Sequence, residues 1–185
     1  RPVTLQMALT YETAALGTGL QGTTEGEMID LRAETGELTV NIEVYREAAL
    51  DNLVGFYQVE NEQGQVFDEF GNLLNPGDEG YIKAAMQQTV TELSLSGENG
   101  NVITTTATMM AGKLLSTFII VDGTTEQLLD SDMANDPTVY FNHLGANTDG
   151  QDHVRLMGDN TFGFEDMAGG GDMDFDDVIA RVSFG

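Results

Sequence analysis

Residues 36–47, GELTVNIEVYRE, decide the predicted fold because their side chains alternate between apolar and polar. Leu38, Val40, Ile42 and Val44 fall on one face of an extended chain, and the residues between them fall on the other. This period of two is typical of a strand with one face packed on a core and one face in water.

Similar patterns, separated by turns rich in Gly, Asn and Asp, predict strands at 3–9, 53–60, 102–109, 114–121, 138–143, 153–157, 161–165 and 178–184. A short helix is predicted through residues 81–90, with Asp78 near its N-cap, and a second at residues 124–129, where Thr124 and Gln127 have the spacing of a capping box. We therefore predict a mainly β fold: an antiparallel, jelly-roll-like β-sandwich with one or two short helices in connecting loops. Residues 1–185 are taken as one domain, in which residues 1–37 supply an N-terminal strand or strands and a loop.

The charge balance excludes several classes of partner. The chain has 31 Asp and Glu against 7 Lys and Arg, which gives a formal net charge of -24. The seven cations are scattered, so we expect no nucleic-acid partner and no attraction to an anionic membrane surface. A folded chain this acidic is typical of a salty extracellular setting, or of a protein that neutralises itself with divalent cations.

The chain contains no cysteine, which excludes a disulfide framework, a thiolate metal site and a cysteine nucleophile. No apolar run approaches the length of a membrane span, so direct membrane insertion is not expected. The sequence opens at Arg1 without a signal peptide, which favours a monomeric module cut from a longer chain.

The most unusual segment is GFEDMAGGGDMDFDDV, residues 163–178, with six acidic side chains, three consecutive glycines and no Lys, Arg or His. If residues 172–184 formed one strand, three aspartates would share the core face with Val178 and the apolar residues after it. The strand is therefore predicted to begin near Asp177, and the aspartates before it to lie on a turn for which Gly169, Gly170 and Gly171 supply the backbone angles.

Gathering these carboxylates is unfavourable without a cation. Four of them at about 6 Å repel by a total on the order of 4 kcal/mol even in water, which rivals the roughly 5–15 kcal/mol stability of a domain. Oxygen ligands on a flexible loop suit Ca²⁺, so the segment predicts a calcium site formed by Asp172, Asp174, Asp176 and Asp177. The spacing does not fit an EF-hand, because Asp177 stands where that loop needs glycine and Ser183 where it needs glutamate.

A second acidic patch precedes this segment. Turns that flank the strand containing His153 and Arg155 carry oxygen-bearing side chains, and two more carboxylates end the next strand. If adjacent strands converge these ends, they complete one or two metal sites with Asp149, Asp152, Asp159, Asn160, Glu165 and Asp166. The alternative is a solvated acidic surface that binds no ion.

The phrase at residues 162–177, FGFEDMAGGGDMDFDD, resembles the signature end of a domain-of-unknown-function family found in bacterial secreted and surface proteins. Segments upstream, such as NLVGFYQVENEQG and FIIVDGTTEQLL, extend the resemblance over about residues 38–185. The resemblance implies a calcium-loaded β-sandwich of the kind carried by large RTX (repeats-in-toxin) adhesins, on the cell surface of a bacterium.

The resemblance favours a calcium-dependent ligand-binding module that holds a peptide, a protein terminus or a glycan of a partner cell. Its contact residues would be Gly169, Gly170, Gly171, Asp172, Asp174 and His153. A calcium-rigidified structural spacer that binds no ligand explains the same composition. Catalysis is not expected, because carboxylates crowded on a glycine-rich turn do not form the separated acid and base pair of a glycosidase. His143 and His153 lie in predicted strands without a nucleophile motif and are interpreted first as packed residues.

Overall fold

The structure, a computed structural model, describes residues 28–47, 50–96, 100–158, 161–171 and 175–184. In this part of the chain the strands are β1 (Ile29–Asp30), β2 (Glu37–Arg46), β3 (Leu53–Val59), β4 (Val66–Phe67), β5 (Leu73–Leu74), β6 (Val102–Met110), β7 (Leu114–Val121), β8 (Thr138–Phe141), β9 (Val154–Gly158), β10 (Thr161–Phe164) and β11 (Val178–Phe184). The helices are α1 (Tyr81–Gln87) and α2 (Thr125–Leu129). Four single 3₁₀ turns lie at Thr91–Leu93, Met133–Asn135, Leu144–Ala146 and Ala168–Gly170. The strand predicted at residues 3–9 lies outside the described residues.

Two antiparallel sheets form the β-sandwich. The first has the order β6-β2-β11-β10-β9. In the second, β7 pairs with β3 along one edge and with β1 and β8 along the other. The predicted antiparallel sandwich is thus confirmed, and so is the alternation of β2, whose four apolar residues are buried while the residues between them are exposed.

The second sheet is buried on both faces. Phe56 of β3 faces the core between the two sheets, whereas its neighbour Tyr57 faces a second core on the opposite side of the same sheet. That second core is covered by α1, α2 and the β4–β5 hairpin, and at its centre the rings of Tyr57, Tyr81 and Phe141 meet edge to face, with Phe118 tilted against two of them. The sandwich therefore has a third layer over one sheet, which explains why nearly all of β7 is buried.

The two helices begin differently from one another. Thr124 caps α2 as predicted, because its hydroxyl accepts from the Gln127 N–H while the Gln127 side chain accepts from the Thr124 N–H. The predicted helix α1 is present, but its N-cap is Gly80, at φ 84°, and Asp78 lies two residues earlier. The Asp78 carboxylate instead accepts from the Asn75 N–H and closes the turn that leads into the helix.

None of the helices in the described ranges is both long and apolar enough to cross a bilayer.

Candidate functional site

The register of three neighbouring strands brings several of the predicted site residues to one end of the first sheet. Phe164, at the end of β10, pairs with both Val154 at the start of β9 and Val178 at the start of β11. The segments before β9, after β10 and before β11 therefore meet. They carry the carboxylates that we call the acidic cluster: Asp149, Glu165, Asp166 and Asp177.

Asp149 is held by a buried histidine. His153 is fully buried, with Nε2 2.7 Å from Oδ2 of Asp149 and Nδ1 2.8 Å from the carbonyl oxygen of Glu165. The imidazole stacks on the ring of Tyr140, with centroids 3.5 Å apart and planes within 1°. Both partner atoms are oxygens that only accept, so both ring nitrogens donate when His153 is protonated. His153 thus faces the protein interior and orients Asp149, which corrects the expectation that it contacts a ligand directly.

The Asp149 carboxylate also receives backbone donors. Its Oδ2 accepts from the N–H of Gly169 at 2.8 Å, and its Oδ1 accepts from the N–H of Gln151 at 3.0 Å. Burial raises the pKa of Asp149, but these hydrogen bonds and the one from His153 outweigh it, so the net pKa lies below its usual range. Asp149 is therefore ionised at neutral pH, and it ties the glycine segment to the strand that holds His153.

Glu165 is a buried carboxylate whose main role in this geometry is to shape the loop before β11. Its Oε1 accepts from the N–H of Phe175 at 2.7 Å. Phe175 is itself buried and has φ 57°, in the left-handed region that a bulky side chain rarely adopts. The guanidinium of Arg155 lies 4.1 Å from the centroid of the Phe175 ring, a cation–π contact that fixes the ring from above. The buried Phe175 therefore anchors the chain just before β11 to the protein interior.

Two of the three glycines adopt backbone angles that favour glycine beside the acidic cluster. Gly169 has φ 78° and Gly171 φ 53°, both in the region that favours glycine. A Cβ built on Gly171 would lie 2.5 Å from Oε2 of Glu165, so a larger residue there would require that carboxylate to shift. These positions bear out the backbone reason for which the sequence has glycine here.

Asp166 and Asp177 are joined through the backbone. The Asp166 N–H donates to Oδ2 of Asp177 at 2.8 Å, and the Asp177 carbonyl accepts from the Glu47 N–H. The Asp166 side chain is only 7% exposed, and its Oδ2 accepts from Nδ2 of Asn52 at 2.7 Å. Within the described ranges, Asp166 forms no ion pair with Lys or Arg, so a neutral amide is its side-chain partner there.

Asp152 is a candidate ligand whose environment opposes its charge. Burial raises the pKa of Asp152 to about 7, although the Val154 N–H and the charge of Arg155 act in the other direction. Its Oδ1 accepts from the Val154 N–H at 3.2 Å, while its Oδ2 has no hydrogen-bond partner among the described residues. A buried carboxylate oxygen in this state is stabilised by a cation.

The donors gathered here are carboxylate oxygens, which fits a hard cation such as Ca²⁺. The described side chains do not by themselves form a group of three or more placed to hold a metal ion. Asp172, Asp174, Asp159 and Asn160 lie outside the described residues, and Asp176 lies half-buried just before β11.

Sequence reasoning missed Asn52, Tyr140 and Phe175. Asn52 lies 114 residues from Asp166, and no local pattern links the two. Phe175 could have been predicted, because an aromatic residue inside a run of aspartates needs a buried position. It therefore marks the point where the run contacts the core.

Comparison with known proteins finds a family match for part of the chain. A family model described as "Domain of unknown function (DUF4114)" matches residues 109–185, from the end of β6 through β11. This match includes the acidic cluster and supports the predicted kind of family, although it starts well after residue 38, where the predicted resemblance began. No curated protein and no solved structure matches the chain. The description of the family names no activity or ligand.

Proposed function

We propose that this chain is a calcium-dependent ligand-binding module of a bacterial extracellular adhesin of the RTX type. Its ligand would be a peptide, a protein terminus or a glycan on a partner cell. The observation that carries the proposal is the acidic cluster: three loops that carry carboxylates meet beside the glycine segment, in a chain of net charge -24.

Calcium would supply further positive charge to the acidic cluster, and an open coordination position where a ligand oxygen can bind. Asp172, Asp174, Asp176 and Asp177 would hold the ion, with Asp149, Asp152 and Asp166 beside it and Asp159 and Asn160 in a second site. Glu165 would act by holding the Phe175 backbone, and His153 by orienting Asp149. Gly169, Gly170 and Gly171 leave space for a ligand to approach.

The binding of Ca²⁺ is tested first, by isothermal titration of the EDTA-stripped protein with CaCl₂. Asp177→Asn keeps an oxygen that accepts from the Asp166 N–H but removes the charge, so we expect calcium affinity to fall by about tenfold or more. Asp132→Asn is a matched control, because Asp132 likewise accepts a backbone N–H, from Ala134, in an exposed turn. Equal affinities of the two variants would refute the proposed metal site.

A structural spacer stays the alternative, since a bound ion that only rigidifies the loops would give the same titration. An array of peptides and glycans, probed with the calcium-loaded protein and again in EDTA, separates the two functions. The module predicts ligands that are retained with calcium and lost in EDTA, whereas a calcium-binding protein that retains nothing on either array is a spacer. Paired carboxylates for catalysis are not favoured, because Asp149, Glu165 and Asp177 each accept from a backbone N–H and hold the loops together.

A further inference from the structure

The layer formed by α1, α2 and the β4–β5 hairpin carries a groove that lies apart from the acidic cluster. It consists of two hollows, one on each side of the exposed Lys83 of α1, and we call it the helical groove. The larger hollow, of about 620 Å³, lies between the start of α1 and residues 128–137. The smaller, of about 140 Å³, lies between α1 and the tip of the β4–β5 hairpin. The larger one falls within the roughly 300–1,000 Å³ of typical ligand pockets.

Each hollow has an exposed apolar side chain at its rim. Phe70, at the hairpin tip, is 80% exposed and lines the smaller hollow, and Met133 is 83% exposed and lines the larger. Leu74 and Leu128 add apolar surface inside. Apolar side chains around a concave surface with a polar rim are typical of a site that contacts another molecule.

The charge of the helical groove is strongly one-sided. Its lining contains one cation, Lys83, and six carboxylates: Asp68, Glu69, Asp78, Glu79, Asp130 and Asp136. Several are fixed by the backbone: Asp68 accepts from the N–H groups of Phe70 and Asn72, and Asp130 accepts from that of Asp132. A hydrogen bond from the Asn72 side chain lowers the pKa of Asp68, so this carboxylate stays charged.

From this combination we propose that the helical groove binds a polypeptide segment with apolar side chains flanked by Lys or Arg. The apolar side chains would enter the two hollows beside Phe70 and Met133, and the flanking cations would meet the carboxylates at the rim. A second copy of this chain is disfavoured as the occupant, because two molecules of charge -24 repel each other. The site is separate from the acidic cluster, and its binding does not depend on calcium.

The probe is an acetylated and amidated peptide, Lys-Lys-Leu-Phe-Leu-Lys-Lys, which has no free carboxylate to bind a metal. Its affinity is measured in EDTA by isothermal titration, beside a peptide with serines in place of the apolar residues and one with glutamates in place of the lysines. We expect the first peptide to bind at least about tenfold more tightly than the serine peptide, because apolar side chains become buried, and the glutamate peptide not to bind.

Variants of the chain locate the binding. Met133→Ser and Phe70→Ser remove exposed side chains, so folding is retained, and each is expected to weaken binding about tenfold. Met110→Ser is the matched control, since Met110 is 56% exposed at the end of β6, outside the groove, and is expected to leave binding unchanged. Glu79→Lys should weaken binding, whereas Glu92→Lys, in an exposed 3₁₀ turn, should have little effect.

Three results would overturn the proposal. The first is equal affinity for the apolar and serine peptides, which would mean that the acidic surface attracts any cationic chain. The second is binding that Met110→Ser weakens as much as Met133→Ser. The third is self-association in sedimentation velocity that Met133→Ser abolishes, which would make a second copy the occupant. Because all measurements are made in EDTA, failure here leaves the calcium proposal standing, and failure of the calcium titration leaves this one standing.

Discussion

At the scale of single residues, Asp152 links pH to stability. Its pKa is raised to about 7 in the folded chain by burial and is about 4 when unfolded, so the folded state binds the proton more tightly and loses stability as pH rises from 4 to 7. In EDTA, Asp152→Asn should therefore raise the melting temperature by a few degrees at pH 8 and by much less at pH 4. Thermal unfolding followed by circular dichroism at both pH values measures this.

Calcium should reverse the sign of the Asp152→Asn effect if Asp152 is a ligand. With saturating CaCl₂ at pH 8, the variant should melt below the unsubstituted chain. A variant that is more stable both with and without calcium would mean that Asp152 is a buried carboxylate outside the metal site.

Gly163 of β10 is a second residue whose surroundings restrict substitution. A Cβ at this position would overlap the carbonyl oxygen of Phe175 and the sulfur of Met157. The carbonyl belongs to the backbone, so it cannot move aside without shifting the residues just before β11. Gly163→Ala should cost about 1–3 kcal/mol of unfolding free energy in urea titration and should weaken calcium affinity. Gly112→Ala, where a Cβ meets open space but φ is 90°, should cost stability by strain alone and leave calcium affinity unchanged.

At the scale of elements, α2 depends on its cap because five residues are too few to form a stable helix alone. Thr124→Ala removes the oxygen that accepts from the Gln127 N–H and should lower the unfolding free energy by about 1 kcal/mol, as measured in urea. Thr91→Ala is a control at an exposed threonine that starts a 3₁₀ turn without capping it, and it should change stability little. A loss of equal size in both variants would show that the reciprocal cap contributes nothing.

At the scale of the whole molecule, a charge of -24 opposes the compact state. In EDTA the melting temperature should rise with NaCl, because salt screens the repulsion between carboxylates. At equal ionic strength, CaCl₂ should raise it further than MgCl₂, since Mg²⁺ gives up its water reluctantly and demands rigid octahedral geometry. If the two chlorides act equally, the stabilisation is screening and not a calcium site. Differential scanning calorimetry in matched salts gives the comparison.

Much of the fold was predictable because it rests on short-range patterns. The alternation in β2 and the capping box of α2 involve residues within a few positions of each other, and the start of β11 follows from the cost of burying unpaired aspartates. Asp78 lies near the start of α1 as predicted, but its carboxylate is used by the preceding turn and does not cap the helix. The third layer was not predicted, because a continuous apolar run such as β7 looks the same whichever layers cover it.

The sequence alone determined that the chain is a mainly β sandwich and that its carboxylates concentrate near a glycine hinge, since alternation, composition and turn residues are local properties. Only the tertiary structure decided which carboxylates meet, that His153 supports Asp149 from within, and that Asn52 and Phe175 hold the neighbouring segments. The Asn52–Asp166 contact joins residues 114 positions apart, and the Phe175–Glu165 contact depends on the register of β10 and β11. Register depends on the packing of the whole sheet, which no short stretch of sequence records.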